Sequence, residues 1–219
     1  MNISTIIFDL GGVLLNVNYE KTINAFKELG MTDFENFFTQ AAQTKLFDRF
    51  DTGEISPNDF RQQLREISGI NVTDKQIDHA WNAMLLDMPP SRIKLLEEVR
   101  KNYRTFLLSN TNAIHYPVYM TYMKQNHGIN DLSALFEKQY LSFVMGMRKP
   151  NRNIFERVIQ ENKLAPAETL FIDDSKQHVH GAREAGLKAV WLNVEKNTIA
   201  SLFNNENKLK GVVSKMVSA

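Results

Sequence analysis

The stretch Thr5-Ile6-Ile7-Phe8-Asp9-Leu10-Gly11-Gly12-Val13-Leu14 constrains this chain more than any other. An apolar run stops abruptly at one carboxylate, and two glycines follow. A run without polar alternation fits a strand covered on both faces, as inside a parallel sheet. Asp9 then stands at the carboxyl end of that strand, where open α/β sheets hold their ligands. The glycines let the backbone turn sharply and come close to whatever the carboxylate holds. Taken alone, an aspartate here more often caps the following helix. Its meaning depends on what the rest of the chain brings to it.

Beyond Asn16-Val17-Asn18, the character changes. From about residue 19 to 86 the patterns are helical. Ile23, Phe26 and Leu29 recur at helical spacing and stop at Gly30. Thr32 with Glu35 reads as a capping box before Phe34, Phe37, Phe38 and Leu46, an aromatic group expected in the core of this segment. Asp51-Thr52-Gly53-Glu54 reads as a turn. Ser56-Pro57 opens a helix with Phe60, Leu64 and Ile67, and Thr73 with Gln76 caps another bearing Ile77, Ala80, Trp81 and Met84. Pro89-Pro90 breaks this run. Ser91 is expected to cap a helix with Ile93, Leu96 and Val99. Strands are then expected at Thr105–Leu108, Gln139–Phe143, Thr169–Ile172 and Lys188–Leu192, alternating with helices near 114–126, around 154–159 and over 179–185. The alternation predicts an α/β fold with a doubly wound parallel sheet. The core is expected from 1–16 and 88–219, with an all-helical insert over 17–87. Placed just after Asp9, that insert would hang over the carboxyl edge of the sheet as a lid.

Three other segments carry reactive residues at strand ends. Phe106-Leu107-Leu108 runs into Ser109-Asn110-Thr111-Asn112, and Phe171-Ile172 runs into Asp173-Asp174. Between them lies the loop Gly146-Met147-Arg148-Lys149-Pro150. A parallel sheet puts all strand ends on one edge, so Asp9, Ser109, Lys149, Asp173 and Asp174 can converge. Their carboxylates would repel one another without a divalent cation. Oxygen donors without sulfur or histidine point to Mg²⁺. Lys149 and the Ser109 hydroxyl, with nearby backbone amides, suit a phosphoryl group, whose transfer needs positioning and charge neutralisation. A carboxylate such as Asp9 can serve as its nucleophile.

Composition narrows the partners. With 26 basic and 25 acidic residues the chain has a net charge of +1, which provides no general field for nucleic acid or an anionic membrane. It has no cysteine, which removes thiolate metal sites, disulfides and cysteine nucleophiles. No apolar run nears the ~18 residues of a membrane span, and no secretory leader is expected ahead of the first strand. The expectation is a cytoplasmic monomer acting on a small phosphorylated metabolite.

These motifs resemble, in order, the four of the haloacid dehalogenase superfamily: Phe8-Asp9 with Gly12-Val13, Leu108-Ser109-Asn110-Thr111, Gly146-Met147-Arg148-Lys149-Pro150 and Phe171-Ile172-Asp173-Asp174. The resemblance covers essentially the whole chain, and it is most similar to the bacterial α-D-glucose-1-phosphate phosphatase branch. It implies Asp9 as nucleophile and metal ligand, and the Gly11 carbonyl as a further ligand. Ser109 and Asn110 would bind phosphoryl oxygens, and Lys149 would neutralise charge. Asp174 would be the direct ligand of the last motif, with Asp173 beside or behind it. It thus implies Mg²⁺-dependent hydrolysis of a sugar phosphate such as α-D-glucose 1-phosphate. One departure stands out: most phosphatases of the superfamily have an acid–base aspartate at the position held here by Gly11. A sugar phosphomutase would need that acid too, and a catalytically weak phosphometabolite sensor is the non-enzymatic alternative. Outside these motifs, His79, His115, His127, His178 and His180 are expected at the surface. Lys21, Lys27, Arg61 and Arg65 are expected on solvated helix faces. Arg49, Asp51 and Glu54, beside the Gly53 turn, are candidate substrate contacts.

Overall fold

The structure is a computed structural model, and it describes residues 2–33, 45–69 and 71–218. The expected Thr32–Glu35 capping box and the Phe34, Phe37 and Phe38 cluster lie outside the described residues. Thr5–Phe8 forms β1, with all four side chains buried. Burial on both faces requires a central position. The other strands are β2 (Arg104–Ser109), β3 (Lys138–Leu141), β4 (Thr169–Asp173) and β5 (Lys188–Trp191). All pair in parallel, in the order β3-β2-β1-β4-β5. The chain therefore builds outward from β1 in both directions, which makes the end of β1 the switch point of the sheet.

The two-residue period of the strands sorts their side chains onto two cores. Ile6, Phe8, Leu107 and Ile172 pack with Ile93, Leu96 and Val99 of α5 (Pro90–Val99) and with Tyr119 and Met123 of α6 (His115–His127). Ile7, Phe106, Leu108 and Phe171 pack with α8 (Arg152–Asn162) and α9 (Lys176–Glu184). Among the described residues the remaining helices of this part are the short α7 (Ser142–Met145) and α10 (Val212–Ser218).

Between β1 and α5 lie α1 (Tyr19–Glu28), α2 (Lys45–Asp51), α3 (Pro57–Ser68) and α4 (Asp74–Asn82). Ser56 and Thr73 form the capping boxes that start α3 and α4. Their apolar faces make a separate cluster around Phe26, Phe47, Phe50, Phe60 and Trp81. Within it Phe50 stacks on Phe60 at 4.2 Å and Phe47 on Trp81 at 5.2 Å. The chain enters and leaves this block through a narrow neck. Asn16 donates to the Asp87 carbonyl at 2.8 Å, Leu86 to Asn16 at 3.0 Å, and Asn18 to Met84 at 2.9 Å.

Four expectations change. Arg61 and Arg65 are not merely solvated: Arg61 makes two 2.8 Å bonds to Asp78, and Arg65 pairs with Asp74, tying α3 to α4. Pro90 does not break a helix but begins α5, because the first helical position needs no amide donor. Ser91 lies inside that helix, and Pro89 takes the capping position without a side-chain bond. The strand expected over Gln139–Phe143 ends at Leu141, where the buried Ser142 hydroxyl exchanges bonds of 2.9 and 2.8 Å with the backbone of Thr111 and starts α7.

The turn after α2 rests on the sheet part of the molecule. Gly53 has φ +68°, and a Cβ there would lie 2.3 Å from the Phe143 carbonyl oxygen. Gly69 has φ +69° with open space around it. Both positions carry the same left-handed strain for an L-residue, about 1–2 kcal/mol. Gly53→Ala is therefore expected to lower the urea midpoint well beyond Gly69→Ala. Equal losses in the two variants would show that the close approach carries no energy.

Candidate active site

Asp9 extends β1 by one residue, its amide donating to the Ile172 carbonyl at 3.0 Å. Phe8 pairs with Ile172 in register, so one step further Asp9 and Asp173 stand side by side. Between them sits the Lys149 ammonium, fully buried, 2.6 Å from Asp9 Oδ1 and 2.7 Å from Asp173 Oδ2. A buried ammonium is tolerated only where such partners surround it. Its backbone is clamped: the Lys149 amide donates to Asn110 Oδ1, and Asn110 Nδ2 donates to the Lys149 carbonyl, both at 2.9 Å. Gly181 of α9 admits the loop, since a Cβ there would lie 2.0 Å from the Pro150 carbonyl oxygen.

Asp173 is saturated. Its Oδ1 accepts from the Ser175 amide at 2.7 Å, and His178 Nδ1 lies 3.0 Å from both its oxygens. Asp174 is half-buried beside it. Oxygens of Asp9, Asp173 and Asp174 come within 4.8 Å of one another. Gly12 makes this possible: with φ +75°, it leaves space where a Cβ would lie 2.2 Å from Asp174 Oδ2. Three carboxylates here face one ammonium. Burial pushes Asp9 up to about 6 against the pull of Lys149. Burial, with the charges of Asp9 and Asp173, pushes Asp174 up to about 8. Burial also works against Asp173, but Lys149 and His178 outweigh it and hold that carboxyl well below the usual range. Burial opposes the charge of Lys149 as well, yet Asp173 and Asp9 raise it on balance. Hard oxygen donors with too little positive charge fit a divalent cation of the Mg²⁺ kind.

Next to these groups opens a cavity of about 280 Å³, between the helical block and the strand ends. Tyr19, Asp48, Asp51, Trp81, Asn112, His115, Arg148 and His178 are among its lining residues. Arg148, one residue before Lys149, pairs with Asp48 and lies 3.7 Å from Asp51. Asn112 is buried and central. Its Oδ1 accepts the amides of Ile114 and His115 at the start of α6, and its Nδ2 donates to Asp51 at 3.2 Å.

A family model for the haloacid dehalogenase-like hydrolases matches residues 3–186. The chain belongs to that family. A D-ribitol-5-phosphate phosphatase of Bacteroides thetaiotaomicron is 30% identical over 188 residues, covering 85% of this chain and 90% of the relative. A crystal structure of a haloacid dehalogenase family enzyme from the same organism superposes with a TM-score of 0.84 at 36% identity, over 94% of this chain and all of that one. A crystal form of that enzyme holding magnesium and inorganic phosphate gives a TM-score of 0.80 at 36% identity, covering 93% and 100% of the two chains. This hydrolase thus shares its fold with an enzyme crystallised with both ions.

Within the hydrolase, Asp9, Lys149, Asp173 and Asp174 come together as their strand ends required. Ser109 is buried at the end of β2, and the Asn110 side chain is occupied by the Lys149 loop. Of the Gly53-turn candidates, Asp51 lines the cavity, whereas Arg49 and Glu54 pair with each other at the exposed surface, 2.8 Å apart. Three histidines depart from the expected surface placement, among them His127, half-buried with its ring edge-on to Tyr122 at 5.6 Å. His178 leans on Asp173, a contact to be sought by relating it to the strand-end acid five residues earlier rather than to His180. His115 is buried, stacked on Trp81 at 5.1 Å, with Nδ1 2.8 Å from Asn82 Oδ1. No periodicity marks it, since its neighbours come from α4.

Burial pushes His115 down to about 3 from an ordinary 6.5. The folded state therefore refuses a proton that the unfolded chain accepts below pH 6.5. Stability from this group is complete above that pH and is lost as pH falls towards 3. Between pH 7 and 5 it amounts to about 2 kcal/mol. His115→Gln is expected to flatten the acid side of the stability–pH curve by that amount in urea titrations. An unaltered slope would contradict a buried neutral imidazole.

Proposed function

We propose that this hydrolase is a Mg²⁺-dependent phosphatase acting on the monophosphate of a small sugar or alditol, with Asp9 as its nucleophile. The observation that carries this reading is the buried Lys149 bridge between Asp9 and Asp173, beside Asp174 and next to a polar cavity. In this reading residues 1–16 and 88–219 are the catalytic core and 17–87 its cap. The separate apolar cluster of the helices and the hydrogen-bonded neck support the division. Asp9 and Asp174 would hold Mg²⁺ together with the Gly11 carbonyl. Asp173, whose oxygens already serve Lys149, His178 and Ser175, would steady them from behind. When bound, the ion would offset the charge of the carboxylates and of the transferring phosphoryl group.

Lys149 and the strand end at Ser109 and Asn110 would hold the phosphoryl oxygens, Asn110 acting also through the position of Lys149. A carboxylate oxygen of Asp9 attacks phosphorus in line. The bond from phosphorus to the leaving oxygen breaks, and that oxygen takes its electron pair and then a proton. Water attacks the aspartyl-phosphate at phosphorus, the bond to Asp9 breaks, and phosphate leaves with the carboxylate restored.

The cavity, at about 280 Å³, is near the small end of the ~300–1,000 Å³ typical of ligand pockets, and its lining is largely polar. That favours a sugar-sized leaving group. The relative at 30% identity is named for ribitol 5-phosphate, and this supports an alditol phosphate ahead of glucose 1-phosphate. A phosphate-release assay over both, with and without Mg²⁺, tests the assignment. Chelation and Asp9→Asn are each expected to reduce turnover at least about 10³-fold, because each removes part of the transferring machinery. Turnover retained in Asp9→Asn would overturn the mechanism.

Gly11 takes no left-handed φ, and a Cβ there would meet Val17 Cγ2 at an ordinary 3.4 Å. The backbone does not demand glycine, so an acid can be placed there. Gly11→Asp is expected to raise kcat on simple alkyl phosphates about 10-fold or more, since general-acid assistance is worth ~10²–10⁴. No change in kcat or in its pH profile would show that leaving-group protonation does not limit this enzyme.

A further inference from the structure

The cavity beside the carboxylates has a charge pattern that bears on what can leave. Among the described residues lining it, Arg148 is the one permanently charged cation, and it is committed to Asp48 and Asp51. His178 is committed through Nδ1 to Asp173, and burial keeps His115 neutral. Residues 34–44, which follow α1 in the chain, contain no lysine, arginine or histidine, so that stretch has no cation to add. The remaining polar lining includes the uncharged Asn110, Asn112, Gln177 and Ser175. Asp51 is the pivot. Its side chain is only 13% exposed, it closes α2 above the cavity, and its fixed neighbours are Asn112 Nδ2 and Arg148.

We propose, resting on the phosphatase reading above, that this cavity selects monophosphates whose leaving group is an uncharged polyol. It excludes those bearing a second phosphate or a carboxylate, and Asp51 sets the discrimination. Hydroxyl groups satisfy such a lining in both directions: they donate to Asp51 and accept from amide side chains. A second anion would lose its water, meet no uncommitted cation, and face Asp48, Asp51 and the Asp9–Asp173–Asp174 cluster. Selectivity here comes from repulsion as much as from fit. Arg148 does not rescue the anion, because capturing it would strand both carboxylates that Arg148 now serves.

The test uses matched pairs with the Mg²⁺-loaded full chain: glucose 1-phosphate against glucose 1,6-bisphosphate, and glycerol 3-phosphate against 3-phosphoglycerate. The member of each pair whose leaving group is uncharged is expected to have a kcat/KM at least about 10²-fold higher, as befits like-charge exclusion in a buried site. Asp51→Asn is expected to narrow that ratio at least about 10-fold by improving the charged members. Equal kcat/KM within both pairs in the unaltered enzyme overturns the proposal while leaving the phosphatase reading standing. An unchanged ratio in a folded Asp51→Asn overturns the role of Asp51. Calorimetric titration of Asp9→Asn with the glucose pair reads the selection without turnover and without altering Asp51. At least about 10-fold tighter binding of the monophosphate upholds it, and equal or reversed affinity overturns it. Release of no phosphate from any member, with the binding preference intact, defeats the phosphatase reading instead.

Discussion

The Lys149 ammonium buried between Asp9 and Asp173 is the contact on which the rest of the site depends. A buried ion pair is weak evidence of stability, because desolvation consumes most of the Coulombic gain. Its value here lies in what it obliges the chain to build. β1 and β4 must be neighbours in register for the two carboxylates to face one lysine. Asn110 must spend its carboxamide on the lysine's backbone, and Gly181 must lack a side chain so that the loop can approach. Gly12 must leave room for a third carboxylate, which the lysine does not neutralise. The result is a fixed cluster short of positive charge, at the switch point of the sheet.

The same loop couples that cluster to the helical block. Lys149 turns down into the carboxylates, while Arg148, its neighbour, pairs with Asp48 and Asp51 of α2. Gly53 seats the following turn on the backbone of Phe143, and Asn112 links the start of α6 to Asp51. The distance between the carboxylates and the cavity wall is therefore set by adjacent residues of one chain segment. In the proposed reaction the carboxylates and the cavity residues would share one support, which is the condition for holding a substrate in line with its nucleophile.

The strands and the acidic cluster were legible because an apolar run ending in a polar residue is a local pattern, and a parallel sheet turns such endings into neighbours. The donor types point to Mg²⁺, and a related enzyme crystallises with that ion. Other features were not local. His115 is defined by Trp81 and Asn82, which come from a helix more than thirty residues earlier. Asn112 reads as a turn former, yet its carboxamide joins three elements. Arg61 and Arg65 look like solvent-facing residues of an amphipathic helix until α4 supplies Asp78 and Asp74. Pro90 was ambiguous in principle, since a proline that ends one helix is equally suited to begin the next. What remained hidden in each case was the partner, not the residue.

The paired glycines after Asp9 separate these two kinds of information. Gly12 is required by geometry, through its positive φ and the Asp174 oxygen against it. Gly11 is not, and a glycine kept where the backbone would accept a side chain carries an entropic cost of about 0.5–1 kcal/mol relative to alanine in regular structure. Electrostatics supplies a reason. Burial already pushes Asp9 up to about 6 and Asp174 to about 8, and the neighbouring carboxylates add to both. A fourth carboxylate, two residues from Asp9, would raise both further and draw more of the counter-charge away from Asp9. With Gly11 in place, Lys149 serves only Asp9 and Asp173. In the proposed reaction an acid in place of Gly11 would add a proton donor but weaken the ionisation of Asp9, so its two effects on turnover would have opposite signs.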